Sequence, residues 1–187
     1  MVQLAYRWGA PVRPYTAPVV TCRVAAAPWE HDEYWRLRRE VFVEEQRLFA
    51  ETDQDSHDDH ALPIVAVTEL LGMADEVVGA VRIYPISGEG DCITGARVWF
   101  GGRLAVASTY RRQGRVGRAL IDTAVGTART LGCDEFLAAV QRSNIPYFER
   151  SGFEFIRAAI VCGTPHGLMR ARLERFPGVE LGAQAAA

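Results

Sequence analysis

The spacing of apolar residues changes along the chain between the period of a strand and the period of a helix. Runs rich in β-branched and aromatic residues, bounded by turn residues, predict strands at residues 19–25, 64–70, 77–85, 99–107, 136–140, 153–162 and 167–173. Apolar residues at helical spacing predict helices at residues 30–45, 116–131 and 146–151. The stripe of the first helix is formed by Trp35, Leu37, Val41 and Phe42.

The order of these elements predicts one α/β domain, with a mixed, mostly antiparallel central sheet flanked by helices. The runs 64–70 and 77–85 are joined by a turn segment with Gly and Asp, which is typical of a hairpin. We expect residues 1–20, which carry three prolines, to form an irregular arm, residues 21–175 the domain, and residues 176–187 a tail. The apolar arm is also a candidate contact for a homodimer.

Composition and charge narrow the classes of function. A chain of 187 residues, 49% of them hydrophobic, can bury a core without a disulfide or a metal. The formal net charge of −2 argues against nucleic-acid binding driven by phosphate neutralisation, and no run approaches the roughly 20 apolar residues that span a bilayer. The four cysteines show no CxxC spacing, so we expect buried free thiols and no metal. The start of the chain lacks a signal-peptide pattern, and we expect a cytoplasmic protein.

The stretch from Arg103 to Leu120 is the most informative segment. An apolar strand runs into a turn rich in arginine and glycine, and a helix follows at once. A helix N-terminus presents unpaired N–H groups and a partial positive charge, and glycines let an anion approach that backbone closely. The turn therefore predicts a pyrophosphate site, although it also suits a solvent-exposed basic turn that caps a helix. It is neither a Walker A loop nor a Rossmann GxGxxG fingerprint.

Two motifs resemble those of the GNAT acyltransferase superfamily. The run YRRQGRVGRAL, ending at Leu120, is similar to motif A with its core [Q/R]-x-x-G-x-[G/A]. The run NIPYFERSGF, from Asn144 to Phe153, is similar to an asparagine followed by F-Y-E-R-x-G-F. The resemblance covers residues 21–173 and implies a GNAT fold with acetyl-CoA as co-substrate.

The resemblance also implies roles for particular residues. Main-chain groups of the central strand, at Leu104, Ala105 and Val106, would bind the pantetheine arm and polarise the thioester carbonyl. Asn144 and the Tyr147–Phe148 pair would line the other side of the coenzyme. The pyrophosphate would be held by Arg111, Arg112, Gln113, Gly114, Arg115, Val116, Gly117 and Arg118.

The register of the glycine-rich turn departs from the family pattern and leaves two alternatives. Counted from the strand, Gly114 takes the first glycine position and Val116 replaces the second. Counted from the helix stripe, Gly117 is the second glycine and Arg115 replaces the first. The two registers place different backbone amides against each phosphate.

A second departure concerns the general acid. The tyrosine that often protonates the CoA thiolate in this family aligns with Phe148. The neighbouring Tyr147 is then the candidate general acid, and packing against the core is the alternative.

Residues 51–60 carry five acids and two histidines, with no Lys or Arg. At the rim of a binding site, such an acidic segment would attract a protonated amine. A carboxylate or imidazole of the segment can take the proton of the amine, directly or through water. The alternative is a solvated loop that caps helices. Glu45 is our first candidate for a catalytic base and His60 our second, whereas His166 is expected to pack in the core or bond to backbone.

The N-terminal half resembles two narrower groups. The phrase R-x-E-V-F-V-x-E-Q at residues 38–46 is similar to a bacterial GNAT branch linked to nitrogen starvation. Arg38 and Phe42, together with Asp53-x-Asp-x-x-Asp58, are similar to acyl-homoserine lactone synthases, which share the fold and acylate the amine of S-adenosylmethionine.

The sequence as a whole predicts an N-acetyltransferase that moves acetyl from acetyl-CoA to the amine of a small molecule by direct attack. A backbone amide near Val106 would stabilise the oxyanion. An acyl-cysteine route is disfavoured because no cysteine adjoins a histidine in these motifs. The alternatives are an acyltransferase like the homoserine lactone synthases and a non-catalytic acyl-CoA-binding domain. Neither nucleic acid nor a membrane is an expected partner.

Overall fold

The computed structural model describes residues 19–70, 72–86 and 96–180. The strands are β1 Val19–Val24, β2 Leu62–Leu70, β3 Met73–Pro85, β4 Val98–Val106, β5 Glu135–Gln141, β6 Phe153–Val161 and β7 Thr164–Ala171. The helices are α1 Pro28–Arg39, which continues as a π-helical turn Glu40–Glu45, then α2 Arg115–Thr130 and α3 Ile145–Arg150. Short 3₁₀ segments occupy Ser108–Gln113, Arg142–Asn144 and Leu173–Arg175.

The strands form one sheet in the order β1-β2-β3-β4-β5-β7-β6. The pair β4–β5 is parallel, and the other neighbouring pairs are antiparallel. The predicted hairpin is β2–β3, and the predicted mixed, mostly antiparallel sheet is confirmed. The parallel pair matters for the site because a parallel connection needs a crossover, and here α2 makes it.

Helices cover both faces of the sheet. Alternate residues of β2 face opposite ways, so Ile64 and Ala66 pack with α2 while Val65 and Val67 pack with α1. The α1 side is closed by Tyr34, Leu37, Val41 and Phe42. The α2 side is closed by Val116, Leu120, Ile121, Ala124, Val125 and Ala128, together with Phe148 of α3.

The ends of the domain differ from the expected boundaries. Val19 and Val20 fall in both the expected arm and the predicted strand 19–25, and they belong to β1, while residues 1–18 lie outside the described residues. Phe176, assigned to the tail, is fully buried. Pro177 packs so closely on α2 that a Cβ added to Gly126 would lie 2.7 Å from the Pro177 carbonyl oxygen. The packed body therefore continues past residue 175, while residues 181–187 lie outside the described residues.

Candidate active site

The parallel strands β4 and β5 pair along only part of their length. The pairs run from Val98–Glu135 to Gly101–Ala138, after which β4 continues to Val106 and β5 to Gln141 with no further pairing between these described segments. A bulge in β4 begins at this point, with two residues set against one of β3, and Arg103 takes φ 55°. A bulge bends its strand and redirects side chains. The sheet is thus split open at its centre.

The split opens into a cavity of about 400 Å³ that reaches both faces of the sheet. On the α1 side its walls include Phe42, Phe49, His57, Arg82, Tyr84 and Arg103. On the α2 side they include Leu104, Ile121, Ala124, Val125, Phe148 and Phe153. Asn144 lines it too, so Leu104, Asn144 and Phe148 of the predicted coenzyme set meet at one cavity.

The backbone of Val106 faces the split. Ala107 donates its N–H to the Val78 carbonyl of β3 at 2.9 Å. Successive residues of a strand direct their backbone groups to opposite sides, so the Val106 N–H points away from β3. This geometry is consistent with the predicted oxyanion donor at Val106, whereas the side chain of Ala105 is buried on the α1 side.

The arginine–glycine turn leads directly into α2. Gly114 takes φ 63° and is followed by Arg115, the first residue of α2. That left-handed conformation favours glycine, and it places the amides of Arg115, Val116 and Gly117 in the first turn, where N–H groups lack partners within the helix. The turn thus has the backbone form of an anion site. The walls of the cavity do not include Arg111–Arg118, whose predicted phosphate contacts stay predictions.

Tyr147 lies against this turn. Its hydroxyl donates to the Gly114 carbonyl oxygen at 3.0 Å, and a Cβ on Gly117 would stand 3.1 Å from the same hydroxyl. Burial raises the pKa of Tyr147. Its neighbour Phe148, and not Tyr147, lines the cavity. Tyr147 therefore fixes the turn in this structure, and its role as general acid stays a prediction.

Glu45 lies at the end of the π-helical turn and pairs with Arg111. Its carboxylate accepts hydrogen bonds from both Arg111 Nη atoms, one of them at 2.6 Å, and Arg111 Nε donates to the Val106 carbonyl at 2.6 Å. The hydrogen bonds from Arg111 lower the pKa of Glu45. A lowered pKa makes a carboxylate a weaker base. The structure thus pairs the first base candidate with the arginine–glycine turn, outside the walls of the cavity.

The histidines of the acidic segment divide between the cavity and its rim. His57 lines the cavity and stacks on Tyr84, with ring centroids 4.5 Å apart and planes within 11°. His60, the second base candidate, meets Tyr84 edge-on at 5.8 Å and is not part of the cavity wall. His166 also lines the cavity, and its Nδ1 lies 2.8 Å from the Thr164 carbonyl oxygen, a backbone contact of the kind expected.

Acids of residues 51–60 bind arginines from distant parts of the chain. Arg38 of α1 pairs with Asp53 at 2.8 Å and with Asp58 at 2.6 Å. Arg82 of β3 pairs with Asp55 and Asp58, each at 2.6 Å. Arg103 completes the set, with Nε 3.0 Å from the Asp53 carbonyl oxygen and Nη2 3.1 Å from Asp55.

This network changes the interpretation of the acidic segment. Asp53 is 2% exposed and Arg38 is fully buried, so this segment contributes to the interior and is not only a solvated rim. Burial opposes ionisation of Asp55, but hydrogen bonds from Arg82 outweigh it and lower its pKa. The arginines that pair with these acids come from α1, β3 and β4. They are therefore not visible within residues 51–60 of the sequence.

The described cysteines are free thiols in different surroundings. Burial raises the pKa of the Cys22 thiol to about 11, and burial has the same effect on Cys133. Cys162 is exposed and lines the cavity, which differs from the expected buried position. Cys92 lies outside the described residues.

The chain matches the family model described as the acetyltransferase (GNAT) family over residues 25–153. Because this match covers well over half of the 187 residues, the chain belongs to the GNAT acetyltransferase family. No curated protein sequence matches it.

Solved structures share the fold along most of the chain. Escherichia coli ElaA is 20% identical with a TM-score of 0.63, covering 83% of this chain and 100% of that chain. An acyl-CoA N-acyltransferase from Pseudomonas aeruginosa is 24% identical with a TM-score of 0.61, covering 83% and 99%. FeeM, an N-acyl amino acid synthase from uncultured soil microbes, is 15% identical with a TM-score of 0.64, covering 86% and 95%. At these identities the likeness shows the fold alone.

The described part of the chain holds neither a candidate membrane span nor a candidate metal cluster. No helix there is long and apolar enough to cross a membrane. No group of three or more His, Cys, Asp or Glu side chains in that part of the chain is arranged to hold a metal ion.

Proposed function

We propose that this protein transfers an acetyl group from acetyl-CoA to a primary amine of a small molecule by direct attack. The split between β4 and β5, which lies beside the arginine–glycine turn at the start of α2, carries the proposal. A pantetheine arm threaded through that split would bring the thioester to the Val106 N–H. The pyrophosphate would then lie on the first turn of α2, where backbone N–H groups and arginines favour an anion.

In the proposed reaction the neutral amine nitrogen attacks the thioester carbonyl carbon. The carbon–nitrogen bond forms, the oxyanion is stabilised by the Val106 N–H, and the carbon–sulfur bond then breaks to release the CoA thiolate. The amine gives up its proton through water to His57, the ring that lines the cavity beside Tyr84. Protonation of the thiolate completes the turnover.

Calorimetric titration of acetyl-CoA into the wild type and into Gly114→Asp tests the coenzyme site. The new carboxylate would repel the pyrophosphate at the start of α2, so we expect binding to weaken at least about tenfold. Gly72→Asp is a matched control, because Gly72 also has positive φ, 79°, but lies in the turn between β2 and β3.

Equal binding by the wild type and Gly114→Asp would move the coenzyme away from this turn. Absence of binding by the wild type would overturn the proposal itself. Binding without turnover on a broad amine panel would instead favour a non-catalytic acyl-CoA-binding domain.

One observation favours a second candidate, transfer of an acyl group longer than acetyl. The cavity does not stop at the split but continues on the α2 side among apolar side chains, including Ile121, Ala124 and Val125. A longer chain would bury its methylenes there, at about 0.8 kcal/mol each. The structural likeness to an N-acyl amino acid synthase agrees with this candidate.

A further inference from the structure

Asp55 and Asp58, the two acids that bind Arg82, have no remaining capacity to bind an amine. Asp55 Oδ1 accepts from Arg82 Nη1 and from the His57 backbone N–H, and its Oδ2 accepts from Arg82 Nη2 and Arg103 Nη2. Asp58 accepts from both Nη atoms of Arg38 and from the Asp55 N–H, and it pairs with Arg82. A carboxylate offers about four lone-pair sites. Both groups are therefore filled.

Arg82 and Arg103 of the same network, in contrast, each have an N–H donor without a partner among the described residues, whereas Arg38 donates from all three of its nitrogens. Arg82 is 3% exposed, and its Nε is buried with no hydrogen-bond partner among the residues that the structure describes. Arg103 binds through Nε and Nη2, while its Nη1 has no such bond to the described part of the chain. A buried donor without an acceptor is costly, and a ligand oxygen would remove that cost.

The two residues that carry these donors border the cavity. Arg82 and Arg103 both line it, as does Gly102 between them on the same face. A Cβ on Gly102 would stand 3.9 Å from Arg82 Nε and would meet no other described atom within 4 Å. The missing side chain of Gly102 thus leaves space in front of the Arg82 guanidinium. Burial, together with the nearby Arg82 charge, lowers the pKa of Arg103.

From this placement we propose that the acceptor amine carries a carboxylate, which Arg103 and Arg82 bind at the bulge of β4. The acceptor is then a compound of amino-acid type, whose amine faces the thioester at the split while its carboxylate lies on the α1 side. The inference rests on the proposed transfer to an amine and adds the chemical class of the acceptor. Arg103, with its side chain 16% exposed, makes the first contact.

Matched amines test the proposal. Acetylation rates are measured for a panel of L-α-amino acids and for the corresponding amino-acid amides, which keep the amine and lose the negative charge. Charge-assisted hydrogen bonds are about twice as strong as neutral ones, so we expect kcat/KM to be at least about tenfold higher for the carboxylates. Arg103→Gln should bring that ratio close to one, and Arg103→Lys should keep part of it.

Arg97→Gln is the control variant, because Arg97 is an exposed arginine just before β4 that pairs with Asp134 away from the cavity. It should leave the ratio unchanged. Gly102→Val, which fills the space in front of Arg82, should lower the ratio as Arg103→Gln does. Equal rates for amino acids and amides in the wild type would overturn the inference and leave the proposed acetyl transfer intact.

Direct titration separates this inference from the proposed function. The same amino acids and amides are titrated by calorimetry into the protein with CoA and into the protein alone. Binding of carboxylates that Arg103→Gln abolishes would support the inference even where no amine is acetylated. Failure of every carboxylate to bind, or equal binding of the amides, would overturn it whatever the coenzyme does.

Discussion

At the scale of single residues, Glu45 forms an ion pair with Arg111 that the sequence did not indicate. It holds Arg111, which in turn holds the carbonyl of Val106 beside the split. We expect Glu45→Gln to raise the KM for acetyl-CoA by up to about fivefold, because an exposed ion pair is worth at most about 1 kcal/mol. We expect kcat to change by less than about twofold. Steady-state kinetics with varied acetyl-CoA measure both.

Glu44→Gln at the neighbouring position is the control, since Glu44 forms a similar exposed ion pair at 3.3 Å. Its partner is Arg39 and not an arginine of the arginine–glycine turn. This variant should leave both constants unchanged. A fall in kcat of several hundredfold for Glu45→Gln at constant KM would instead identify Glu45 as the base.

The turn that leads into α2 was recognisable in the sequence, whereas the choice between neighbouring acids and histidines was not. Gly114 stands out because glycine readily takes the left-handed conformation that is found here at the start of α2. His57 and His60 lie three residues apart in a loop without periodicity, so nothing in the sequence indicates which ring enters the cavity. In the structure, His57 stacks on Tyr84 and is the ring that lines the cavity.

At the scale of elements, the sequence predicts the strands well because their apolar runs end at turn residues. The segment predicted as one helix over 30–45 is instead an α-helix to Arg39 and a π-helical turn from Glu40 to Glu45. Apolar spacing cannot show this change, since both forms place Val41 and Phe42 against the core. The split between β4 and β5 leaves no local pattern in the sequence, because pairing joins strands that are far apart along the chain.

The split between β4 and β5, together with α2 behind it, leads to a prediction on the length of the acyl group. Ala124 of α2 lines the inner end of the cavity. Ala124→Leu would fill the space of two or three methylenes, roughly 2 kcal/mol, so the ratio of kcat/KM for hexanoyl-CoA to that for acetyl-CoA should fall more than about tenfold. Rates with the two thioesters in wild type and variant give the ratio.

Ala128→Leu is the control for this measurement, because Ala128 is fully buried one turn further along α2 and does not line the cavity. It overpacks the same core and should leave the ratio unchanged. An unchanged ratio in Ala124→Leu would place the acyl group elsewhere and leave acetyl as the proposed substrate.

At the scale of the whole molecule, a buried charge network joins α1, the acidic segment and the central strands. Arg38 and Asp58 are 20 residues apart in sequence, and Arg82 and Asp55 are 27 apart. The acids and the arginines are each visible in the sequence, but their pairing depends on how α1 crosses the sheet. The acids are therefore visible in the sequence, and their neutralisation by arginines became apparent only in three dimensions.

The network makes stability depend on pH in a defined window. Burial alone would raise the pKa of Asp58, but hydrogen bonds from Arg38 and Arg82 outweigh it and lower the pKa from 3.8 to about 2. A carboxyl whose pKa is lowered by folding stabilises the protein above its unfolded pKa, and that contribution is lost as pH falls through its folded pKa. We expect the wild type to lose roughly 2 kcal/mol from Asp58 between about pH 4 and pH 2.

Urea denaturation of the wild type and Asp58→Asn across this range measures the contribution. The variant leaves Arg38 and Arg82 short of an anion, so we expect its unfolding free energy near pH 7 to fall by about 3 to 5 kcal/mol and its further loss below pH 4 to be smaller. Asp134→Asn is the control, because Asp134 forms an exposed pair with Arg97 and should change little. Parallel pH profiles for the wild type and Asp58→Asn would show that the network does not hold Asp58 ionised.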